Sequence, residues 1–376
     1  MRFHLQQRTW VAVFAGILLS ASACQNQTST IANTNSSNTT SAASASKFSD
    51  RQIVSDFADQ VVIPTNQLFA QKAAQLSKAI DTFVQDPNEQ TLAAARNAWR
   101  DARSPWEQSE SFTFGPADSL GYDAALDSWP VNETDLTAVL QSNDPLTVET
   151  IQKRQDTEKG FHAIEFLLFG TENNKQVSDF NQRELEYLQA LGKDFSRVAN
   201  ELVASWTTGV EGQPAYREVL ATAGESSNSN YPTLPSGAAE IVQGTIDSLD
   251  EVANEKIGEP LAQKDTKLLE SRFSFHTLED LKSNVKGAEN VYLGRFPDAN
   301  TDGKGISDFI AQVNPDLDAR IKSQFQTSMA ALEKIPAPLE TAMANPQAVP
   351  QIQAAQTAID SLQQTMRQEV LPLVQN

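Results

Sequence analysis

Histidine is scarce in this chain: three in 376 residues, at His4, His162 and His276. His162 stands in Gly160-Phe161-His162-Ala163-Ile164-Glu165, a GxHxxE pattern inside an apolar run. Side chains three residues apart share a helix face, so this imidazole and carboxylate can reach one ion. Two ligands do not complete a site. A structural zinc takes four protein ligands, and a catalytic zinc takes three plus water. The single cysteine, Cys24, lies far upstream, so the remaining ligands would be carboxylates. One imidazole among several oxygens suits iron or manganese better than a thiolate-type zinc centre. Helical bundles build such sites from facing helices, often with Glu and His three residues apart. The competing reading is a hydrogen-bonded core histidine beside the apolar run Phe166 to Phe169.

Glu110 is the first candidate for a third ligand. It neighbours Phe112 and Phe114, where an unpaired carboxylate would be costly. An ion pair with Arg103, seven residues back on the same face, would explain it equally well. Asp127, in Asp127-Ser128-Trp129-Pro130, and Asp123, one turn earlier, are further candidates. Either could instead cap a helix. His276 and Glu279 form a second HxxE without the leading glycine, and read as a helix start that Ser274 could cap. Asp298-Ala299-Asn300-Thr301-Asp302-Gly303 imitates the opening of a calcium loop. Its twelfth position is Phe309 rather than a bidentate glutamate, so a plain connection between helices is expected.

Other chemistries are poorly supplied. There is no HExxH, GxSxG, Walker motif or GxGxxG. The chain carries 29 Lys and Arg against 48 Asp and Glu, a net charge of −19. That balance argues against nucleic acid, whose phosphates need cationic partners. It is compatible with cation binding, although acidic surfaces commonly serve solubility alone.

The N-terminus reads as an export signal over residues 1–23. Arg2 and Arg8 precede a short apolar stretch, Trp10 to Leu19, and then small residues up to Ala23. Cys24 follows. An only cysteine cannot form an intramolecular disulfide. Its setting looks like a bacterial lipobox, in which the cysteine is acylated, with Ala21 where leucine is commonest. Residues 24–47, rich in Ser, Thr, Asn and Ala, read as a flexible tether.

Helical period dominates the rest. Ile53, Phe57, Val61 and Leu68 form one stripe, continued by Leu76, Ile80 and Phe83, and Pro64 should kink that helix. Leu92, Ala95, Trp99, Ala102 and Trp106 step by three and four, as do Leu188, Leu191, Phe195, Val198 and Leu202. Further stripes are Leu317, Ile321, Phe325, Leu332 and Ile352, Ile359, Leu362, Met366, Val370. No segment alternates like a strand. An all-α protein of packed bundles is expected. Polar or Gly/Pro-rich breaks fall at 115–147, 224–237 and 294–305. The second suggests a boundary between a first bundle, 48–235, and a second, 236–376. Glu110-Ser111-Phe112-Thr113-Phe114 is echoed by Glu270-Ser271-Arg272-Phe273-Ser274-Phe275, which would fit an internal duplication.

Three stretches together resemble the imelysin family, and within it the iron-regulated, envelope-located imelysin-like proteins. They are Trp99 to Pro116 leading to Asp127-Ser128-Trp129-Pro130; Gly160 to Gly170; and Glu270 to Phe275 with Asp280, Asn284, Gly287 and Asn290-Val291-Tyr292-Leu293-Gly294. The resemblance covers nearly the whole chain after the tether. It implies a two-domain helical fold with GxHxxE near the domain junction, a cell-envelope location and a link to iron acquisition. It raises Asp123 and Asp127, because related iron-system proteins show an Asp pair at this spacing. The family is named after an insulin-cleaving metallopeptidase.

The leading expectation is a non-enzymatic lipoprotein, exported and held on a membrane facing the periplasm by an acylated Cys24. It would bind a divalent or ferric metal ion, iron first, with zinc and manganese as alternatives, and work with iron-uptake components. The ligands expected are His162, Glu165, Glu110, Asp127 and Asp123. The surrounding pocket would hold Gly160, Arg103, Phe112, Gly115 and Trp129, with Arg103 orienting a carboxylate. A metallopeptidase using His162, Glu165 and a metal-bound water is the second reading. A helical scaffold binding a protein or small ligand is the third.

Overall fold

Pro64 interrupts an apolar stripe that otherwise runs from Ile53 to Phe83, yet the helix does not break there. In the computed structural model, which describes residues 47–376, helix Arg51–Asp56 continues through Phe57–Val62 into Ile63–Gln85. Through Phe57–Val62 the turns widen, and Ile63 N–H donates five residues back to Ala58. Proline lacks an N–H, and its ring clashes with the carbonyl four residues earlier; an extra residue in the turn relieves both problems. The device recurs twice. Glu251–Gly258 precedes Pro260, and Met366–Val370 precedes Pro372. The leader, Cys24 and the tether up to residue 46 lie outside the described residues.

The protein is all-α. Ile63–Gln85 packs between Glu89–Glu107 and Gln182–Thr207. The apolar stripes of the latter two, from Leu92 to Trp106 and from Leu188 to Leu202, are buried. Phe69, Trp106, Phe161 and Phe195 meet at ring-centroid distances of 4.5–6.3 Å. Burying each such ring stabilises the fold by about 1.5–3 kcal/mol. Asn181 and Glu184 cap the 26-residue helix Gln182–Thr207 reciprocally. In the second half, Leu234–Asp250, Thr277–Leu293, Pro315–Leu332 and Val349–Thr365 pack on one another, and the two stripes read from the sequence there, Leu317 to Leu332 and Ile352 to Val370, are buried. Among the described residues, no helix is long and apolar enough to cross a membrane.

The breaks resolve differently from one another. Residues 115–147 form short helices, including Tyr122–Asp127. At 224–237 the chain turns into Leu234–Asp250, capped by Thr233. At 294–305 the expected plain connection contains two-residue antiparallel strands, Arg295–Phe296 and Thr301–Asp302. Residues on both sides of position 235 share one compact unit. Two close approaches join them. Thr277–Leu293 lies against the end of Glu89–Glu107, where a Cβ on Gly287 would overlap the Gln108 carbonyl oxygen. Leu234–Asp250 lies against the turn Glu110–Phe112, where a Cβ on Gly244 would press on the Ser111 carbonyl oxygen.

Candidate metal centre

The glycine of GxHxxE sets the position of the histidine. Gly160 opens helix Gly160–Phe169 at φ +78°, and a Cβ there would overlap the carbonyl oxygen of Leu126. Only glycine accommodates both conditions. The helix therefore starts against the end of Tyr122–Asp127, and His162 Nε2 comes within 3.1 Å of Asp127 Oδ1. That contact is off the line of a hydrogen bond, so Nε2 is buried without a hydrogen-bond partner. The other ring nitrogen, Nδ1, lies 3.0 Å from Glu165 Oε2. Glu165 Oε1 accepts from Ser274 N–H at 2.8 Å and from Ser274 Oγ at 2.7 Å. His162 is 1% exposed and Glu165 is fully buried. Imidazole and acid do share a face, but Glu165 holds the ring from behind. The free nitrogen points to Asp127.

Arg103 organises the carboxylates. Its guanidinium is fully buried, 4.7 Å from the Phe161 ring centroid. It pairs with Asp127 Oδ1 at 2.6 Å, with Glu270 and Asp280 at 3.3 Å, and with Glu107 one turn along its own helix. Asp127 Oδ2 accepts from Trp106 Nε1 at 2.5 Å. Lys256 enters from the widened turn Glu251–Gly258, reaching Glu270 Oε1 at 3.0 Å and Glu107 Oε2 at 3.3 Å. Asn284 donates to Glu107 Oε2 at 2.7 Å, and Ser271 Oγ donates to Asp280.

Five buried carboxylates, Glu107, Asp127, Glu165, Glu270 and Asp280, thus surround two permanent cations and one imidazole. Burial pulls the His162 pKa down, but the Asp127 charge outweighs it and the imidazole rises to about 10. Burial pushes Asp127 up, but Arg103 and then His162 prevail and hold it below the usual carboxylate range. Burial overrides Arg103 at Glu107 and pushes that carboxyl up to about 8. The same cause raises Glu110, and raises Asp123 to about 7 with help from Asp127. The excess of negative charge is the condition a cation would relieve.

One ligand atom from each of Asp127, His162 and Glu270 falls within 4.8 Å of the other two. Glu107, Glu110 and Asp127 form another such group, which includes the half-buried Glu110 on the turn Glu110–Phe112. Glu270 Oε2, like His162 Nε2, is buried with no hydrogen-bond partner. These are the residues able to hold an ion. Arg103 takes the expected place beside Asp127 and does not pair with Glu110. Asp123 is half-buried one turn before Asp127 and joins none of these groups. Phe112 packs edge-on to Phe57 at 6.0 Å, and the Tyr216 ring fills the space where Gly115 would carry a side chain. Trp129 is half-buried, with an unpartnered Nε1.

His276 immediately precedes helix Thr277–Leu293, 4.0 Å from Asp280, while the exposed Glu279 bonds Lys282. Ser274 does not cap that helix; it serves Glu165. Asp298 is held by Lys286 and Gln108. Sequence reasoning did not assign Glu107, Lys256, Glu270, Ser274, Asp280 or Asn284 to the site. Four of these six, Glu270, Ser274, Asp280 and Asn284, stand in the third of the three stretches that carried the resemblance, and Glu107 in the first.

Known proteins share this architecture. The Imelysin model (Peptidase_M75) matches residues 62–366. The iron-regulated protein A of Synechococcus elongatus is 42% identical over 324 residues, which is 86% of each chain. Two crystal structures share the fold. One is of a protein described as an iron-regulated protein A precursor from Parabacteroides distasonis, with TM-score 0.77 and 24% identity over 88% of this chain and 96% of that one. The other is of an imelysin-like protein from Psychrobacter arcticum, with TM-score 0.66 and 13% identity over 86% and 95%. With a family model spanning most of its length and a relative of this identity, the chain belongs to the imelysin family.

Proposed function

We propose that this protein is an exported, lipid-anchored component of iron acquisition that binds one metal ion between His162, Asp127 and Glu270 without catalysing a reaction. The observation that carries the reading is His162 Nε2, buried 3.1 Å from Asp127 Oδ1 without an aligned hydrogen bond, where a metal ion would displace the proton and take its place between imidazole and carboxylate. Donors at about 2.1 Å from an ion lie roughly 3 Å from their neighbours, close to the Nε2–Asp127 separation. Glu165 then plays the part of the carboxylate behind a metal-ligating histidine, fixing its tautomer and orientation. Burial favours the neutral forms of Glu110 and Asp123, next to the cluster, and a cation arriving beside them would draw them into ionisation. Imidazole and carboxylate donors suit iron or manganese. The name of the Synechococcus elongatus relative favours iron.

A peptidase would need a metal-bound water open to a polypeptide. His162 and Glu165 are instead enclosed, and both oxygens of Glu165 are engaged, which favours binding over hydrolysis. The export-type leader and Cys24 support attachment to the envelope membrane.

Elemental analysis of native protein, with calorimetric titration by ferrous, ferric, manganous and zinc ions, tests the site. His162→Ala should abolish binding. Glu165→Gln should weaken it by about 10–100-fold. Binding by His162→Ala at wild-type strength would remove the reading. Cys24→Ser should move the protein from the membrane to the soluble fraction.

A further inference from the structure

The proposed ligands are buried: His162 is 1% and Glu270 4% exposed, and the Asp127 side chain 3%. An ion reaches them only when a covering element moves. Moving a helix exposes a packed core; in Gly160–Phe169, nine of the ten residues are buried. Glu270 alone of the three ligands lies outside a helix, in the turns that precede Thr277–Leu293. Both ends of this segment are fixed. Arg103 and Lys256 hold Glu270, Asp280 accepts from Ser271 Oγ, and Glu340 accepts from Thr277 Oγ1 at 2.7 Å. Between these ends, Arg272–Phe275 touches the surroundings of all three ligands. It follows Glu270 closely in sequence. Its Ser274 bonds Glu165 behind His162. Its Arg272 guanidinium, 4.0 Å from the Phe273 ring centroid, pairs with Glu133 in the segment after Asp127.

We infer that Arg272–Phe275 is the flap through which an ion reaches and leaves the buried centre, held shut by the Arg272–Glu133 ion pair and biased towards opening by Phe275. The inference rests on the metal reading above but has a separate test. Phe275 is the exposed large hydrophobic residue among the described residues, at 38%, and its backbone is left-handed, with φ +58°. A bulky residue is strained there, and such strain persists only where the surroundings over-determine it. Here His276 N–H donates to Ser271 O at 3.1 Å, and Asn173 Nδ2 donates to Ser274 O at 3.4 Å. When the flap opens, Ser274 releases Glu165, Phe273 leaves Phe166 and the Phe275 backbone relaxes. The ion pair acts on the closed flap whether or not an ion is bound. Loosening it therefore speeds entry and release by one factor and leaves affinity unchanged.

The test follows manganous ion entering and leaving the full chain by stopped-flow tryptophan fluorescence, together with amide hydrogen exchange over residues 271–276 in the ion-free protein. Glu133→Gln should speed ion entry, ion release and exchange of the flap amides by about two- to five-fold, the worth of a partly exposed ion pair. The dissociation constant should not change, nor should exchange within Gly160–Phe169. Asparagine accepts a left-handed backbone and alanine does not. Phe275→Asn should therefore slow all three rates relative to Phe275→Ala, in which the ring is gone but the strain remains. Equal rates in these two variants would overturn the role given to Phe275. Faster amide exchange in Glu133→Gln with unchanged ion rates would show that the flap opens but is not the route. That result, or unchanged rates throughout, would overturn the inference and leave the His162 reading standing. So would a loss of affinity through faster release alone, which would make the pair a binding contact. No ion bound by wild type would remove the His162 reading and the inference with it.

Discussion

At the scale of single residues, buried charge is tolerated only where each group has an assigned partner. Asp318 shows this away from the candidate metal centre. Its Oδ1 accepts from Tyr292 at 2.9 Å and Ser307 at 2.7 Å, and its Oδ2 from Lys322 at 2.7 Å. Burial alone would raise this carboxyl, but the bonds from Lys322, Ser307 and Tyr292 outweigh it and the pKa falls. A depressed folded value means stability that is complete above the unfolded value, about 3.9, and is lost as pH falls through the folded one. Asp318→Ala should cost about 1–3 kcal/mol at neutral pH, because two hydroxyl donors lose their acceptor. Urea titrations of wild type and Asp318→Asn should differ most at neutral pH and converge in acid. A constant difference down to strongly acidic pH would show that the carboxylate charge is not what matters.

At the scale of elements, the candidate centre is positioned by glycines that let backbones touch. Gly160 allows the motif helix to begin on the end of Tyr122–Asp127, and Gly287 allows Thr277–Leu293 to reach the end of Glu89–Glu107. The first contact places His162 beside Asp127, and the second places Asp280 and Asn284 beside Arg103 and Glu107. Gly160→Ala would combine a strained positive φ with a clash on the Leu126 carbonyl. It should cost more than about 1 kcal/mol. It should also weaken metal binding beyond what lost stability explains, because the helix must retreat from Asp127. Calorimetric titration at a temperature where the variant is fully folded checks this. Unchanged affinity there would mean that the glycine serves stability alone.

At the scale of the molecule, the two halves of the chain share their most demanding interactions. Arg103, Glu107, Asp127 and His162 come from the first half, and Lys256, Glu270, Ser274 and Asp280 from the second. Separating them would strand charges in an apolar interior, at a cost of several kcal/mol per ion. The full chain should therefore melt in one transition, with calorimetric and van't Hoff enthalpies equal. Residues 48–235 expressed alone should lack a cooperative transition. Two independent transitions, or a fragment that melts as sharply as the whole, would show the halves to be autonomous.

The architecture was legible because helical period is a local property. The stripes from Leu92 to Trp106, from Leu188 to Leu202 and from Ile352 to Val370 announce which faces are buried, whatever they pack against. The GxHxxE spacing likewise places His162 and Glu165 on one face before any fold is known. Pro64 predicts a kink, yet the chain absorbs it in a widened turn whose extra residue shifts the register, so that Phe69 is buried where the stripe predicts Leu68. Which atom faces which was not legible. The spacing leaves Glu165 equally able to meet an ion or the imidazole, and only the arrival of Ser274, 109 residues later, engages its second oxygen. Arg103 finds Asp280 across 177 residues, and Lys256 finds Glu107 across 149. No local pattern encodes such pairs. They follow from how two sets of helices are brought together, and desolvation at that junction decides which charges can remain.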